Sequence, residues 1–177
     1  MRKTILFTIL LSFPFLSIGK GLDNFRTENS QIIWEARFET IHSIEITKDS
    51  LFKKFTQSGY DFENNKSNFH CNDVFFDYRK TNVSRSKCPI YLLQMKANFD
   101  VEILFDKSYY YVKISKIDLV EFKSIPSLNH NYHDHIIHHS LEELALKKKK
   151  RTYKRRFEKY GSEIINQTLI ELFDLFK

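Results

Sequence analysis

The segment Asn98–Phe122, NFDVEILFDKSYYYVKISKIDLVEF, constrains the fold more than any other part of the chain. Phe99, Val101, Ile103 and Phe105 alternate with Asp100, Glu102 and Leu104, the period of two expected of a strand with one buried face. Asp106-Lys107-Ser108 then supplies short polar turn residues, and a second run rich in aromatic and β-branched residues follows from Tyr109 to Phe122. Two such runs separated by three polar residues predict a long antiparallel β-hairpin. Alternation also divides the tyrosine triplet, with Tyr110 on one face and Tyr109 and Tyr111 on the other, where exposed rings could stack on sugars.

A hairpin needs a cover for its apolar face, and the end of the chain offers one. Ile164, Ile165, Leu169, Leu172, Phe173 and Phe176 recur at three- and four-residue spacing, with Ser162 as the expected N-cap after a break at Gly161. Upstream, Gln31–Glu39 reads as a strand with Ile32, Trp34, Ala36 and Phe38 on one face. Thr47 is placed to cap a helix bearing Leu51, Phe52 and Phe55, and Gly59 to end it. The expectation is one α+β domain over 31–177: a curved antiparallel β-sheet with an early helix and a C-terminal amphipathic helix packed on it. Seventeen Phe and nine Tyr against four Gly fit a globular chain and leave little material for glycine-rich phosphate loops.

The first residues have the form of a secretory leader. Arg2 and Lys3 precede the apolar stretch from Thr4 to Ile18, and small residues follow at Ser17, Gly19 and Gly21. The expected leader is 1–19, with cleavage after Gly19 or after Gly21, and 20–30 is expected to be a flexible N-terminal segment. The stretch is shorter than the roughly 20 residues a spanning helix needs, so the mature chain is expected to have no transmembrane span and to be periplasmic or secreted. Export permits a Cys71–Cys88 disulfide, set against two independent buried thiols.

Order of elements carries a resemblance. The Ile33-Trp34 strand, the helix around Leu51–Phe55, the FDVEILFDKSYYYVKI hairpin and the closing LIELFDLF together resemble an exported bacterial domain-of-unknown-function family with a TATA-box-binding-protein-like fold. The resemblance implies a curved sheet covered by helices over nearly the whole mature chain. It implies no activity, and the name of the fold implies nothing about DNA.

Two local anomalies bear on chemistry. The segment 129–140 is expected to be a loop, and it holds His130, His133, His135, His138 and His139, imidazoles suited to Zn, Cu or Ni. It lacks the His-Glu-x-x-His spacing of a known metal motif, so no cofactor is the first expectation and a transition metal the alternative. The second anomaly is charge. Twenty-eight basic residues stand against 22 acidic ones, for a net +6. Eight bases fall in Lys147–Arg156, namely Lys147, Lys148, Lys149, Lys150, Arg151, Lys154, Arg155 and Arg156, and with Arg2 and Lys3 also set aside the remaining chain is net −4. On a helix this run could meet an anionic envelope surface, with another envelope protein as the other kind of partner, while export removes the usual nucleic-acid target.

No nucleophile elbow, phosphate loop or argued carboxylate pair is present, so the expected function is a non-catalytic binding or structural module. N-terminal sequencing of the protein recovered from its native compartment is expected to begin at Lys20 or Leu22. Recovery of an intact Met1 end would refute the leader.

Overall fold

A computed structural model describes residues 22–58, 67–126, 132–148 and 152–175, with the side chains of 123–126 and 132–135 outside that description. The strands are β1 (Phe25–Glu28), β2 (Gln31–Glu39), β3 (Asn68–Val74), β4 (Lys96–Phe105), β5 (Tyr109–Pro126) and β6 (Tyr132–Ser140). The α-helices are α1 (Ile44–Gln57), α2 (Ile90–Gln94), α3 (Leu141–Ala145) and α4 (Ser162–Phe173). The sheet is antiparallel, in the order β1-β2-β5-β4-β3, with β6 beside the far end of β5.

The expected hairpin is β4–β5. Phe105 pairs with Tyr110 and Leu104 with Tyr111, and the Asp106 N–H donates to the Tyr109 carbonyl at 2.9 Å across the turn. The arm bends at Lys116, whose φ of 52° is unusual for a non-glycine residue. Asp100 faces Ser115 and Asn98 faces Asp118, so the β5 side carries one extra residue there, as in a β-bulge. The extra residue resets the alternation. Tyr110, Val112 and Ile114 are buried before it, and Ile117 and Leu119 after it, all in the same core.

Helices α1 and α4 cover that core. Thr47, Leu51 and Phe55 line one face of α1, and Ile164, Ile165, Leu169 and Phe173 one face of α4. The Phe173 ring lies 5.2 Å from Phe55 and 6.3 Å from Trp34, centroid to centroid. Polar ties fix the helix on the sheet: the Tyr110 hydroxyl donates to the Phe173 carbonyl at 2.6 Å, and the Trp34 indole N–H donates to Asn166 Oδ1 at 2.9 Å. The Lys54 ammonium donates to the Glu171 and Asp174 carbonyls, closing the C-terminal end of α4. Burial depresses the Lys54 pKa, with Asp174 and Glu171 acting in the opposite sense.

Several expectations change. Within the expected flexible segment 20–30, residues Phe25–Glu28 form β1, joined to β2 by Asn29 and Ser30 at φ 47° and 68°. Two consecutive positive-φ residues are the signature of a type I′ hairpin turn, and the strand is held by Phe25 edge-on to Phe157 and by Arg26 paired with both oxygens of Glu35. The segment expected to be a His-rich loop forms β6 over 132–140, because β5 runs on past its pairing with β2, which stops at Trp34–Ile114, and β6 takes up the edge that β2 leaves open.

Ser43, not Thr47, caps α1. Thr47 is buried one turn later and its hydroxyl donates to the Ser43 carbonyl. Gly161 does not break the last helix. A turn of π-helix, Phe157–Gly161, leads straight into α4, and Ser162 donates to the Glu158 carbonyl instead of capping. The surroundings of Gly161 are tight, since a Cβ there would stand 3.0 Å from Phe157 Cδ2 and 3.3 Å from Pro89 Cγ and those side chains would have to give way. Gly59 and the leader 1–19 lie outside the described residues.

Replacing Tyr110 by Phe leaves the Phe173 carbonyl without its donor in the core, at about 1–3 kcal/mol. Thermal unfolding is expected to show Tm lowered by about 2–10 °C for a chain of this size, whereas an unchanged Tm would show that α4 is not tied at this point.

Candidate functional surfaces

Among the described residues the helices pack on one side of the sheet, and around the β4–β5 hairpin the other side faces solvent. On that face the register lines up Arg37, Tyr111 and Leu104 across β2, β5 and β4, with Glu35, Lys113 and Glu102 in the next row but one along the strands. Tyr111 is 44% and Leu104 57% exposed, although both lie in the middle strands of the sheet. Tyr109 is held rigidly beside them. The Arg37 guanidinium carbon sits 4.1 Å over its ring, Tyr111 meets it edge-on at 5.0 Å, and its hydroxyl bonds to Asp106. That bond, with the Lys107 N–H, holds the Asp106 carboxyl below its ordinary range.

Further along the face are ion pairs. Lys113 stands 3.7 Å from Glu102, and Asp100 receives both Lys116 and His70 at 2.8 Å. Desolvation opposes ionisation of Asp100, but the hydrogen bonds from Lys116 and His70 outweigh it and lower its pKa. Within the row of Arg37, Tyr111 and Leu104 and that of Glu35, Lys113 and Glu102, the face offers aromatic surface flanked by both donors and acceptors. The sequence marked Tyr109 and Tyr111 by alternation, but Leu104 read as a lapse in the pattern, and Arg37 carried no signal at all.

Of the five histidines, two, His138 and His139, have side chains among the described residues. His130 lies outside the described residues, as do the side chains of His133 and His135. His138 and His139 are adjacent on β6 and so point to opposite faces. His138 hydrogen-bonds to Asp118, and His139 stands 4.0 Å from Glu121. Among the described residues no three His, Cys, Asp or Glu side chains are grouped to hold a metal.

Nor do the described residues of the basic run form one helix. Lys147 and Lys148 follow α3, Leu146 bridges to Tyr153, and only Arg155 and Arg156 are helical, with Lys149, Lys150 and Arg151 outside the described residues. The Lys154 ammonium donates to the Glu143 carbonyl at 2.9 Å. Arg156 reaches instead to a loop about 70 residues earlier, donating to the carbonyls of Ser86, Lys87 and Cys88 at 2.9, 3.3 and 3.1 Å.

A cleft of about 550 Å³ lies between α1, the end of β3 and α4, lined by Lys54, Phe75, Lys80 and Glu171 among others. Its ammonium groups are already engaged, Lys54 by the carbonyls of α4 and Lys80 by Glu171.

Cys71 and Cys88 are both free and buried, so the disulfide expectation gives way to two separate thiols. Cys71 faces Phe99 across β3 and β4, while Cys88 sits at the entry to α2. Burial pushes the Cys71 thiol up to about 12 and raises Cys88 as well, which suppresses the reactive thiolate.

The fold is thus an α+β protein with an open antiparallel sheet and helices on one side of it. No protein-family model matches the chain, and no curated protein matches it in sequence. Among solved structures, it is similar to a crystal structure described as a TBP-like protein from Parabacteroides distasonis, at 10% sequence identity and a TM-score of 0.48, covering 85% of this chain and 95% of that one.

Ellman's reagent at pH 8 is expected to find no fast-reacting thiol in the native protein and two in guanidinium chloride without reductant. Two thiols appearing only after reduction would restore the disulfide.

Proposed function

We propose that this is an exported, non-catalytic binding module that holds an envelope glycan on the uncovered face of its sheet. The observation that carries the reading is the row Arg37–Tyr111–Leu104, exposed in the centre of the sheet beside a clamped Tyr109. A flat ring with an apolar neighbour accepts the C–H face of a sugar, and a ring already fixed by its neighbours loses little freedom on binding. Arg37 and Glu39 lie on the same face of β2 beside it, a donor and an acceptor that suit hydroxyl groups better than a charged polymer. The non-catalytic part is supported by how the ionisable groups of the face are used, since Arg26–Glu35, Lys113–Glu102 and Lys116–Asp100–His70 are each consumed in pairing.

The test is binding to insoluble envelope glycan and to a panel of soluble oligosaccharides. Tyr111→Ala is expected to weaken retention at least tenfold, about 1.4 kcal/mol, and Leu104→Ser to weaken it less, both with Tm near that of the parent because the side chains are exposed. Retention that ignores both substitutions, or no retention by the parent, rejects the reading.

A further inference from the structure

The three bonds from Arg156 bring together two basic segments that the sequence keeps apart. They fix the loop containing Arg85 and Lys87 against the start of the last helix, where Arg155, Arg156 and Lys159 are exposed. Backbone carbonyls satisfy the donors of Arg156 without cancelling its charge. Lys87 Nζ stands 5.9 Å from the Tyr160 ring, which places its ammonium over the same helix. The loop 79–90 contains no acidic residue, and Glu158 is the one acid between Lys147 and Ser162. Among the described residues, Arg85, Lys87, Arg155 and Lys159 have no carboxylate within ion-pairing distance, in contrast to Arg79 with Asp77 and Lys80 with Glu171.

An apolar side chain projects from the same corner. Pro89 and Tyr91 turn inward onto Gly161, where a Cβ would lie 3.3 and 3.5 Å from them, and Ile90 between them is left 63% exposed. Ile90 is two residues beyond the Cys88 carbonyl that Arg156 holds.

We propose that this corner docks the protein on an anionic lipid bilayer, with Arg85, Lys87, Arg155, Arg156 and Lys159 facing headgroup phosphates and Ile90 entering the boundary between headgroups and acyl chains. Unpaired cations on one side of a fold attract any polyanion, and a bilayer also buries an isolated apolar side chain standing among them, which a soluble polyphosphate does not. Each cation near an anionic surface raises partitioning about fivefold. This surface is separate from the uncovered sheet face and does not depend on what that face binds.

The experiment is co-sedimentation of the full chain, purified as the cell processes it, with vesicles of phosphatidylcholine alone or with 30% phosphatidylglycerol. Binding is expected only to the anionic vesicles in 0.1 M salt and is expected to be lost in 0.5 M. The double substitution Arg85→Ser with Lys87→Ser is expected to lower partitioning about 25-fold. Ile90→Ser is expected to lower it about tenfold with every charge retained. Circular dichroism checks that these exposed substitutions leave the fold intact. Equal binding to neutral vesicles, binding that survives 0.5 M salt, or partitioning unaffected by either variant overturns the proposal. Retention on a polyphosphate resin without vesicle binding assigns the corner to a soluble polyanion and overturns it too.

Discussion

Tyr110 sits at the point where the two layers of this protein must agree. Its ring is buried in the sheet, stacked at 5.2 Å on Phe38, and its hydroxyl cannot reach water, so it needs an acceptor inside the fold. The Phe173 carbonyl, in the last turn of α4, is that acceptor. Because a helix leaves its final carbonyls without partners, the one bond satisfies both elements. Lys54 on α1 serves the Glu171 and Asp174 carbonyls on either side of Phe173, so both covering helices are fixed to one another and to the sheet around a single spot.

From this follows the asymmetry of the molecule. Among the described residues, α1 and α4 pack their apolar faces on one side of the sheet, and the opposite side around the β4–β5 hairpin stays open. That open side is stabilised by pairing between neighbouring strands, Arg26 with Glu35 and Lys113 with Glu102, of which each exposed pair contributes at most about 1 kcal/mol. Among the described residues, no element covers Tyr111 and Leu104. The bulge at Lys116 serves the same division, keeping Ile117 and Leu119 in the core after the arm bends.

Local pattern was a good guide wherever burial itself was periodic. Residues 98–122 read as a hairpin because their core face repeats every second residue, whereas the bulge went unread, and the structure shows that the core spacing steps from two to three between Ile114 and Ile117. Elements held by a few specific contacts were not legible. β1 is four residues long and mostly polar, and it exists because Phe25 meets Phe157 and Asn29-Ser30 turn the chain back. β6 reads as a histidine-rich loop in sequence because its pairing is provided by the far end of β5 rather than by an apolar face of its own. Thr47 looked like a cap, and the true cap, Ser43, differs from it only in whether the preceding turn is already helical.

Residue spacing along the chain is enough to specify the α+β class, the central hairpin, the two covering helices and the opposite facing of Tyr110 and its neighbours, because periodic burial is written residue by residue. Which side chains meet is set by the packing of distant segments. It divided His138 from His139 by the pleat of a strand and placed Cys71 and Cys88 as separate thiols. It also joined Arg156 to carbonyls about 70 residues away, so that a basic run became one part of a broader cationic corner with Ile90 beside it. Such meetings depend on the path of the chain between distant segments, which the spacing of residues along either segment does not encode.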